Sequence, residues 1–186
     1  MHFAIYGAGG LGAYYGARLT EAGHDVGLIA RGAHLKAIQD HGLTIHSPVG
    51  DVHLPRPTAT SDPADIGEVD VVVVAVKTWQ VVEILQTMRP LVGNRTLIVP
   101  FLNGVEASDQ LAAAYGKDRV LGGLSRIFCE IQSPGVIRHL NPGAYVEFGE
   151  LDGRLTDRVE SLCEAFMATG AETKASKNIR AALWEK

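Results

Sequence analysis

The sequence lacks the features that mark nucleic-acid-binding and membrane-embedded proteins. Its 186 residues carry a formal charge of −4, and no block of like charges occurs, whereas a nucleic-acid surface needs clustered lysine and arginine. The longest apolar runs, such as Val71–Val76 and Leu97–Leu102, are far too short to cross a bilayer. We therefore expect no nucleic-acid partner and no membrane.

Export signals and metal-binding spacings are also missing. No basic region precedes an apolar stretch at the N-terminus, which opens directly with a strand-like segment, so we expect no signal peptide. The two cysteines, Cys129 and Cys163, have no metal-like spacing, and the seven histidines show no ligand pattern. We expect reduced thiols, no metal and a cytoplasmic location.

What the sequence does contain is an alternation of apolar runs with longer amphipathic stretches, which is typical of an α/β fold. Asp70–Val76 is all apolar after its first residue, as expected of a parallel strand buried on both faces. The predicted strands up to residue 124 are His2–Tyr6, Asp25–Ala30, Leu43–His46, Asp51–Leu54, Asp70–Val76, Thr96–Leu102 and Val120–Leu124. The predicted helices are Leu11–Ala22, Ala33–Asp40, Trp79–Leu91, Val105–Tyr115 and Arg154–Ala168.

Beyond residue 124 the pattern changes to polar–apolar alternation interrupted by Pro-Gly turns. Ile127–Gln132, Gly135–Leu140 and Ala144–Phe148 are predicted to be antiparallel strands at one edge of the sheet. The predicted fold class is therefore α/β, with a doubly wound Rossmann-type sheet that is mostly parallel and has an antiparallel edge.

A glycine-rich run of the form G-x-G-x-x-G joins the first strand to the first helix. It consists of Gly7, Ala8, Gly9, Gly10, Leu11 and Gly12. In such a run Gly7 permits the tight turn, Gly9 leaves room for a pyrophosphate, and Gly12 lets the helix pack close to the strand. The helix N-terminus adds unpaired N–H groups, so we predict a dinucleotide-binding loop; the alternative is a plain strand-to-helix turn.

The end of the second strand bears on which dinucleotide is used. NAD enzymes place an acidic residue there to bond the ribose 2′-hydroxyl. Here the strand ends at Arg31, with no acid beside it. A guanidinium can grip a 2′-phosphate in bidentate fashion, so we predict NADP (NADPH), the alternative being an exposed strand-end arginine.

Two polar residues follow the fourth and fifth strands of the predicted 3-2-1-4-5-6 order. Lys77 and Asn103 should emerge side by side near the glycine-rich run, where ligands bind in doubly wound sheets. A cation and a neutral amide at that place suit a nicotinamide ribose and a small anionic substrate. A helix cap or a solvated loop residue remains the alternative for each.

These motifs, with others in the same order, resemble those of ketopantoate reductases along the whole chain. The segments that carry the resemblance are Gly7–Gly12, Ala75–Gln80, Asn103–Val105, Pro134–Ile137, Phe148–Glu150 and Leu183–Lys186. The resemblance implies an NADP-binding N-terminal domain, a helical C-terminal domain, and reduction of 2-dehydropantoate, a small 2-oxo acid, to pantoate on the route to pantothenate.

The resemblance also implies residue roles. Gly7–Gly12 would hold the pyrophosphate and Arg31 the 2′-phosphate, while Lys77 and Asn103 would lie at the nicotinamide end. Asn103 would also approach the substrate. Lys186 would contact the substrate and act as the general acid that protonates the carbonyl oxygen. The family's other substrate contacts come from the helical domain, so we expect poor turnover by these 186 residues alone.

The domain organisation follows from the residue pattern near the C-terminus together with the resemblance. Residues 1–170 are predicted to form the NADP-binding domain, and residues 171–186 a linker and the first turns of a helical domain, with Ser176 as helix N-cap. We therefore expect a longer protein. Open alternatives are a paralogue that reduces another 2-oxo acid or carbonyl compound, and a non-catalytic NADP-binding sensor. A homodimer of the full-length form is also open.

Overall fold

The computed structural model describes all residues from 1 to 186 as twelve strands and six α-helices. The strands are β1 (His2–Tyr6), β2 (Asp25–Ile29), β3 (Leu43–His46), β4 (Val52–Leu54), β5 (Thr58–Thr60), β6 (Val71–Val74), β7 (Leu97–Pro100), β8 (Leu121–Arg126), β9 (Cys129–Ser133), β10 (Val136–His139), β11 (Tyr145–Glu150) and β12 (Glu172–Ala175). The helices are α1 (Gly10–Glu21), α2 (Gly32–His41), α3 (Val81–Thr87), α4 (Ala107–Tyr115), α5 (Asp157–Met167) and α6 (Ile179–Glu185). None of them has the length and apolar character needed to span a membrane.

A five-stranded parallel sheet forms the centre of the fold and confirms the predicted fold class. Its order is β5-β2-β1-β6-β7, which is the 3-2-1-4-5 order of a doubly wound sheet. β8 touches β7 through a single parallel bridge from Ile98 to Val120 and then pairs antiparallel with β11. Of the three antiparallel strands predicted at this edge, only the one that corresponds to β11 lies here, and β12 extends the pairing in parallel.

Two predicted strands lie elsewhere. β9 and β10 do not join the edge of the central sheet; they form a separate sheet of order β4-β3-β10-β9. The reason lies in α1, whose residues Gly12–Leu19 are all buried. A helix that is buried on every side needs cover on both sides, and the second sheet covers the side of α1 that faces away from the central sheet.

Smaller differences have local causes. The third strand of the central sheet, β5, was not predicted because it is a three-residue polar edge strand. The predicted helix Trp79–Leu91 is interrupted: 3₁₀ turns at Thr78–Gln80 and Arg89–Leu91 flank α3, and Pro90 lacks the N–H that a continuous helix would need.

The predicted N-cap Ser176 is wrong. Asn178 caps α6, since its Oδ1 accepts a bond from the Ala181 N–H at 3.2 Å.

Residues beyond 170 pack onto the antiparallel edge. β12 pairs with β11, and α6 places Ile179 and Leu183 against Leu124 of β8. Trp184, on the other side of α6, is 76% exposed. The domain boundary at residue 170 stays a prediction.

Five aromatic rings join the central sheet to its antiparallel edge. Phe166 of α5 is fully buried and lies at their centre, with its ring centroid 4.9 Å from that of Phe148 and 5.5 Å from those of Tyr15 and Phe101. The ring of Phe3 lies 6.3 Å away. Edge-to-face contacts of this kind add to the free energy gained from apolar burial.

Phe166→Ala should therefore lower the free energy of unfolding by about 3–5 kcal/mol, the usual cost of removing a buried aromatic ring. Met167→Ala is the matched control on the same helix, since Met167 is 52% exposed, and it should change stability by less than about 0.5 kcal/mol. Urea unfolding followed by circular dichroism measures both. Equal losses in the two variants would contradict this description of the core.

Candidate dinucleotide-binding site

The loop after β1 is held by β2 and β6. Gly7 has a φ of +101°, and a Cβ there would lie 2.8 Å from Cγ1 of Val76, so this position needs glycine. The N–H groups of Gly7 and Ala8 both donate to the carbonyl oxygen of Ile29, at 3.2 and 2.8 Å. The turn is therefore fixed before any ligand binds.

Backbone strain does not explain the glycine at position 9, in contrast to Gly7. Its φ is −82°, a value that other residues adopt without strain, and a Cβ there would meet nothing within 4 Å. Gly9 is also the N-cap of α1, and no side chain caps this helix end. The first amides of α1 have no partner within the helix, so the loop leaves both space and donors for an anionic group.

The last three residues of the glycine-rich run contact the protein itself. A Cβ at Gly12 would collide with the carbonyl oxygen of Gly7, which confirms the predicted close packing of helix on strand. A Cβ at Gly10 would lie 2.7 Å from the carbonyl oxygen of Cys129, so Gly10 lets β9 approach the loop. Leu11 is partly buried against the core.

A cavity of about 260 Å³ opens beside this loop at the carboxyl ends of β1, β2 and β6. Arg31 and Lys77 are its only charged side chains. Both residues are exposed. Arg31 is the N-cap residue of α2, but its side chain makes no capping hydrogen bond. The lining comprises Tyr6, Gly7, Ala8, Gly9, Ile29, Ala30, Arg31, His34, Ala75, Val76, Lys77, Gln80, Ile84 and Ile131. The cavity is thus positive and free of acidic groups.

The sequence analysis did not identify three residues that line this cavity, His34, Gln80 and Ile131. His34 follows Arg31 by one helical turn, and its Nδ1 accepts a bond from the Gly135 N–H at 3.0 Å. Gln80 follows Lys77 by three residues and accepts a bond from the Lys77 N–H at 3.0 Å. This spacing is visible in the sequence, whereas Ile131 comes from the second sheet, which local patterns do not position.

Lys77 and Asn103 emerge side by side, as predicted. They follow β6 and β7, whose ends are in register through Val74 and Pro100, and the Thr78 hydroxyl donates to the carbonyl oxygen of Asn103 at 3.0 Å. Lys77 lines the cavity, whereas Asn103 is not among the lining residues and is exposed.

Lys186 does not line this cavity. It is the C-cap of α6 and is exposed, but neighbouring atoms partly desolvate its ammonium group. That desolvation, and then the charge of Arg126, lower the pKa of Lys186. Arg126 ends β8, so Lys186 lies toward the carboxyl edge of the sheets. Nowhere in the chain do three or more His, Cys, Asp or Glu side chains form a group that could hold a metal ion.

The strand order, the tight turn at Gly7 and the uncapped start of α1 define a dinucleotide-binding domain of the doubly wound class. The chain belongs to the ketopantoate reductase PanE/ApbA family, whose model matches residues 3–153.

Three relatives illustrate the similarity. An uncharacterized oxidoreductase of Bacillus subtilis, YkpB, is 37% identical over the whole chain, which covers 61% of that protein. A 2-dehydropantoate 2-reductase of Mesorhizobium japonicum is 32% identical over the whole chain, which covers 63% of it. The crystal structure of 2-dehydropantoate 2-reductase from Geobacter metallireducens matches all of this chain with a TM-score of 0.94 at 34% identity, and 61% of that structure is covered. The chain thus spans about three fifths of the length of the relatives it matches.

Gly9→Val and Gly7→Ala should affect different properties, cofactor binding in the first variant and thermal stability in the second. Gly9→Val should abolish cofactor binding and leave the melting temperature almost unchanged, because the added side chain points into open space. Gly7→Ala should lower the melting temperature, because both its backbone conformation and the contact with Val76 are strained. Calorimetric titration with NADPH and thermal unfolding give the two readouts. Wild-type NADPH affinity in Gly9→Val would show that the loop does not hold the pyrophosphate.

Proposed function

We propose that this chain is the cofactor-binding part of an NADPH-dependent reductase that converts 2-dehydropantoate to pantoate. The observation that carries the proposal is the acid-free cavity that runs from Gly7–Gly9 and Arg31 to Lys77. The chain covers about three fifths of the matched 2-dehydropantoate 2-reductases. Activity is therefore proposed for the full-length protein, in which residues 171–186 lead into a helical domain.

The residues present fit NADP. The pyrophosphate would lie over Gly9, where a Cβ would meet no protein atom, and against the amides at the start of α1. The 2′-phosphate would pair with Arg31 at the end of β2. No acidic residue lines this cavity to bond a 2′-hydroxyl or to repel the phosphate. Lys77 and Asn103 would then flank the nicotinamide end.

The proposed chemistry divides between the cofactor and the protein. Bound NADPH supplies the hydride that goes to the keto carbon. Lys186 holds the proton that the carbonyl oxygen acquires, and its charge stabilises the developing alkoxide. The lowered pKa of Lys186 makes its proton easier to release, which suits a general acid. Asn103 orients the substrate by hydrogen bonding.

A second candidate is a reductase of another 2-oxo acid or carbonyl compound. It is favoured by the similarity to the Bacillus subtilis protein, which is described only as an oxidoreductase. Turnover assays of the full-length protein with 2-dehydropantoate and with other 2-oxo acids separate the two candidates. NADPH binding without turnover of any carbonyl substrate would instead support a sensor.

Arg31→Ala should weaken NADPH binding by about 1.5–3 kcal/mol, because a hydrogen-bonded charge pair with the 2′-phosphate is lost. NADH binding should hardly change. Lys36→Ala is the matched control, since Lys36 is an exposed cation of α2, the helix that follows Arg31, and pairs with Asp40 at 2.7 Å. Calorimetric titrations with both cofactors decide the matter, and equal affinities of the unmutated protein for NADPH and NADH would contradict the assignment.

Lys186→Ala in the full-length protein should lower kcat by about 10²–10⁴-fold, the usual contribution of a general acid, with little change in NADPH affinity. Lys177→Ala removes an exposed lysine just before α6 and serves as the control. Steady-state kinetics measure both. A kcat within a few-fold of wild type would remove Lys186 from the mechanism and make Lys77 the next candidate.

A further inference from the structure

A second cation lies at the same edge of the sheets as Lys186. Arg126 is the last residue of β8 and is exposed. Leu183 of α6 packs against Leu124 of β8. These two residues come three and two positions before Lys186 and Arg126, so the two cations end neighbouring elements at the same edge. The charge of Arg126 also contributes to the lowered pKa of Lys186. Sequence patterns gave no reason to single out Arg126.

β8 brings Arg126 to the level of Asn103. Gly123 of β8 packs against the end of β7: a Cβ there would lie 2.7 Å from the carbonyl oxygen of Pro100 and 3.3 Å from the ring of Phe101. β7 and β8 run in the same direction through their parallel bridge. β8 continues for three residues to Arg126, and the chain continues for three residues beyond the end of β7 to Asn103, about 10 Å if extended. Arg126 and Asn103 therefore leave adjacent strands at the same edge.

The guanidinium of Arg126 is held in place without being neutralised. Its Cζ lies 5.5 Å from the centroid of the Tyr145 ring, a cation–π contact, and none of the ion pairs in the chain includes Arg126. Glu172 lies in the same cross-strand row but on the far side of Tyr145, two strand spacings away, or about 9–10 Å.

The phenol of Tyr145 is held in place by a hydrogen bond to a paired carboxylate. Its hydroxyl donates to Oε2 of Glu147 at 2.7 Å, and Lys174 Nζ lies 3.0 Å from Oε1 of the same carboxylate. Burial and this bond to Glu147 raise the pKa of Tyr145 to about 12, so the hydroxyl keeps its proton. The carboxylate of Glu147 thus interacts with Tyr145 and Lys174, while the face of the Tyr145 ring contacts the guanidinium of Arg126.

We propose that Arg126 binds the carboxylate of the substrate while Lys186 faces its keto oxygen. This inference rests on the proposed reductase function. In a 2-oxo acid the carboxylate and the keto group are on adjacent carbons, so two neighbouring unpaired cations match both groups. The planar guanidinium binds a carboxylate in bidentate fashion. Arg126 therefore selects 2-oxo acids over neutral carbonyl compounds.

Arg126→Met in the full-length protein tests this assignment, because methionine keeps an apolar stem over Tyr145 and removes the charge. The KM for 2-dehydropantoate should rise about 10- to 100-fold, the effect of losing a charged hydrogen-bonded pair, whereas NADPH affinity should stay unchanged. With the neutral amide of 2-dehydropantoate as substrate, wild type and variant should have equal kcat/KM.

The matched control is Arg56→Met, which removes the same charge. Arg56 is exposed and precedes β5, at the amino ends of the strands and away from the site, so its KM should equal that of the wild type. An unchanged KM in Arg126→Met, in a protein that still reduces the acid, overturns the Arg126 assignment and leaves the proposed function intact. Reduction of the amide as efficiently as the acid by the unmutated protein also overturns it. Normal NADPH binding with no reduction of any 2-oxo acid by the unmutated protein overturns both.

Discussion

The close approach of α1 to β1 is the constraint on which the rest of the structure depends. It requires glycine at two positions of α1. A Cβ at Gly12 would collide with the carbonyl oxygen of Gly7, and one at Gly16 would lie 2.6 Å from a methyl of Leu28 in β2 and 3.2 Å from a side-chain carbon of Ile5 in β1. Because the helix lies so close to the sheet, the first amide groups of α1 lie next to the turn at Gly7. The same approach buries one side of α1 against the central sheet, so the other side needs a cover, which the β4-β3-β10-β9 sheet provides. That cover then supplies Ile131 to the wall of the cavity.

The parts of the fold that the sequence predicts are those governed by local patterns. The four valines of β6 are at most 1% exposed, as their continuous apolar run indicates, and the bounds of β1 agree with the prediction. Glycine spacing predicted the turn at Gly7 and the close packing at Gly12. Lys77 and Asn103 were predicted as neighbours because parallel strands end at one edge of a sheet, and the register of β6 and β7 confirms it.

What local patterns could not predict depends on partners distant in sequence. β9 and β10 alternate like edge strands, but β10 pairs in parallel with β3, about 90 residues earlier in the chain. The second layer is evident only from the burial of Gly12–Leu19 of α1, which the structure shows and the sequence does not. Arg126 was missed for a similar reason. An arginine at the end of a strand is ordinary in sequence, and only the fold places Tyr145 and Lys186, which are distant in sequence, near it.

The distribution of charge follows from this architecture. Buried acids of the antiparallel edge are paired where they lie: Glu147 with Lys174 and Tyr145, and Glu150 with Arg158, whose guanidinium lies 2.5 Å from its carboxylate. Burial alone would raise the pKa of both carboxyls, but the hydrogen bonds that they accept outweigh it, and both pKa values are lowered. These two negative charges are thus neutralised within the antiparallel edge. The cations at that edge, Arg31, Lys77 and Arg126, keep their charge unpaired. A chain with a net charge of −4 can therefore present a positive site, because the fold separates the acids that stabilise it from the bases that face the cleft.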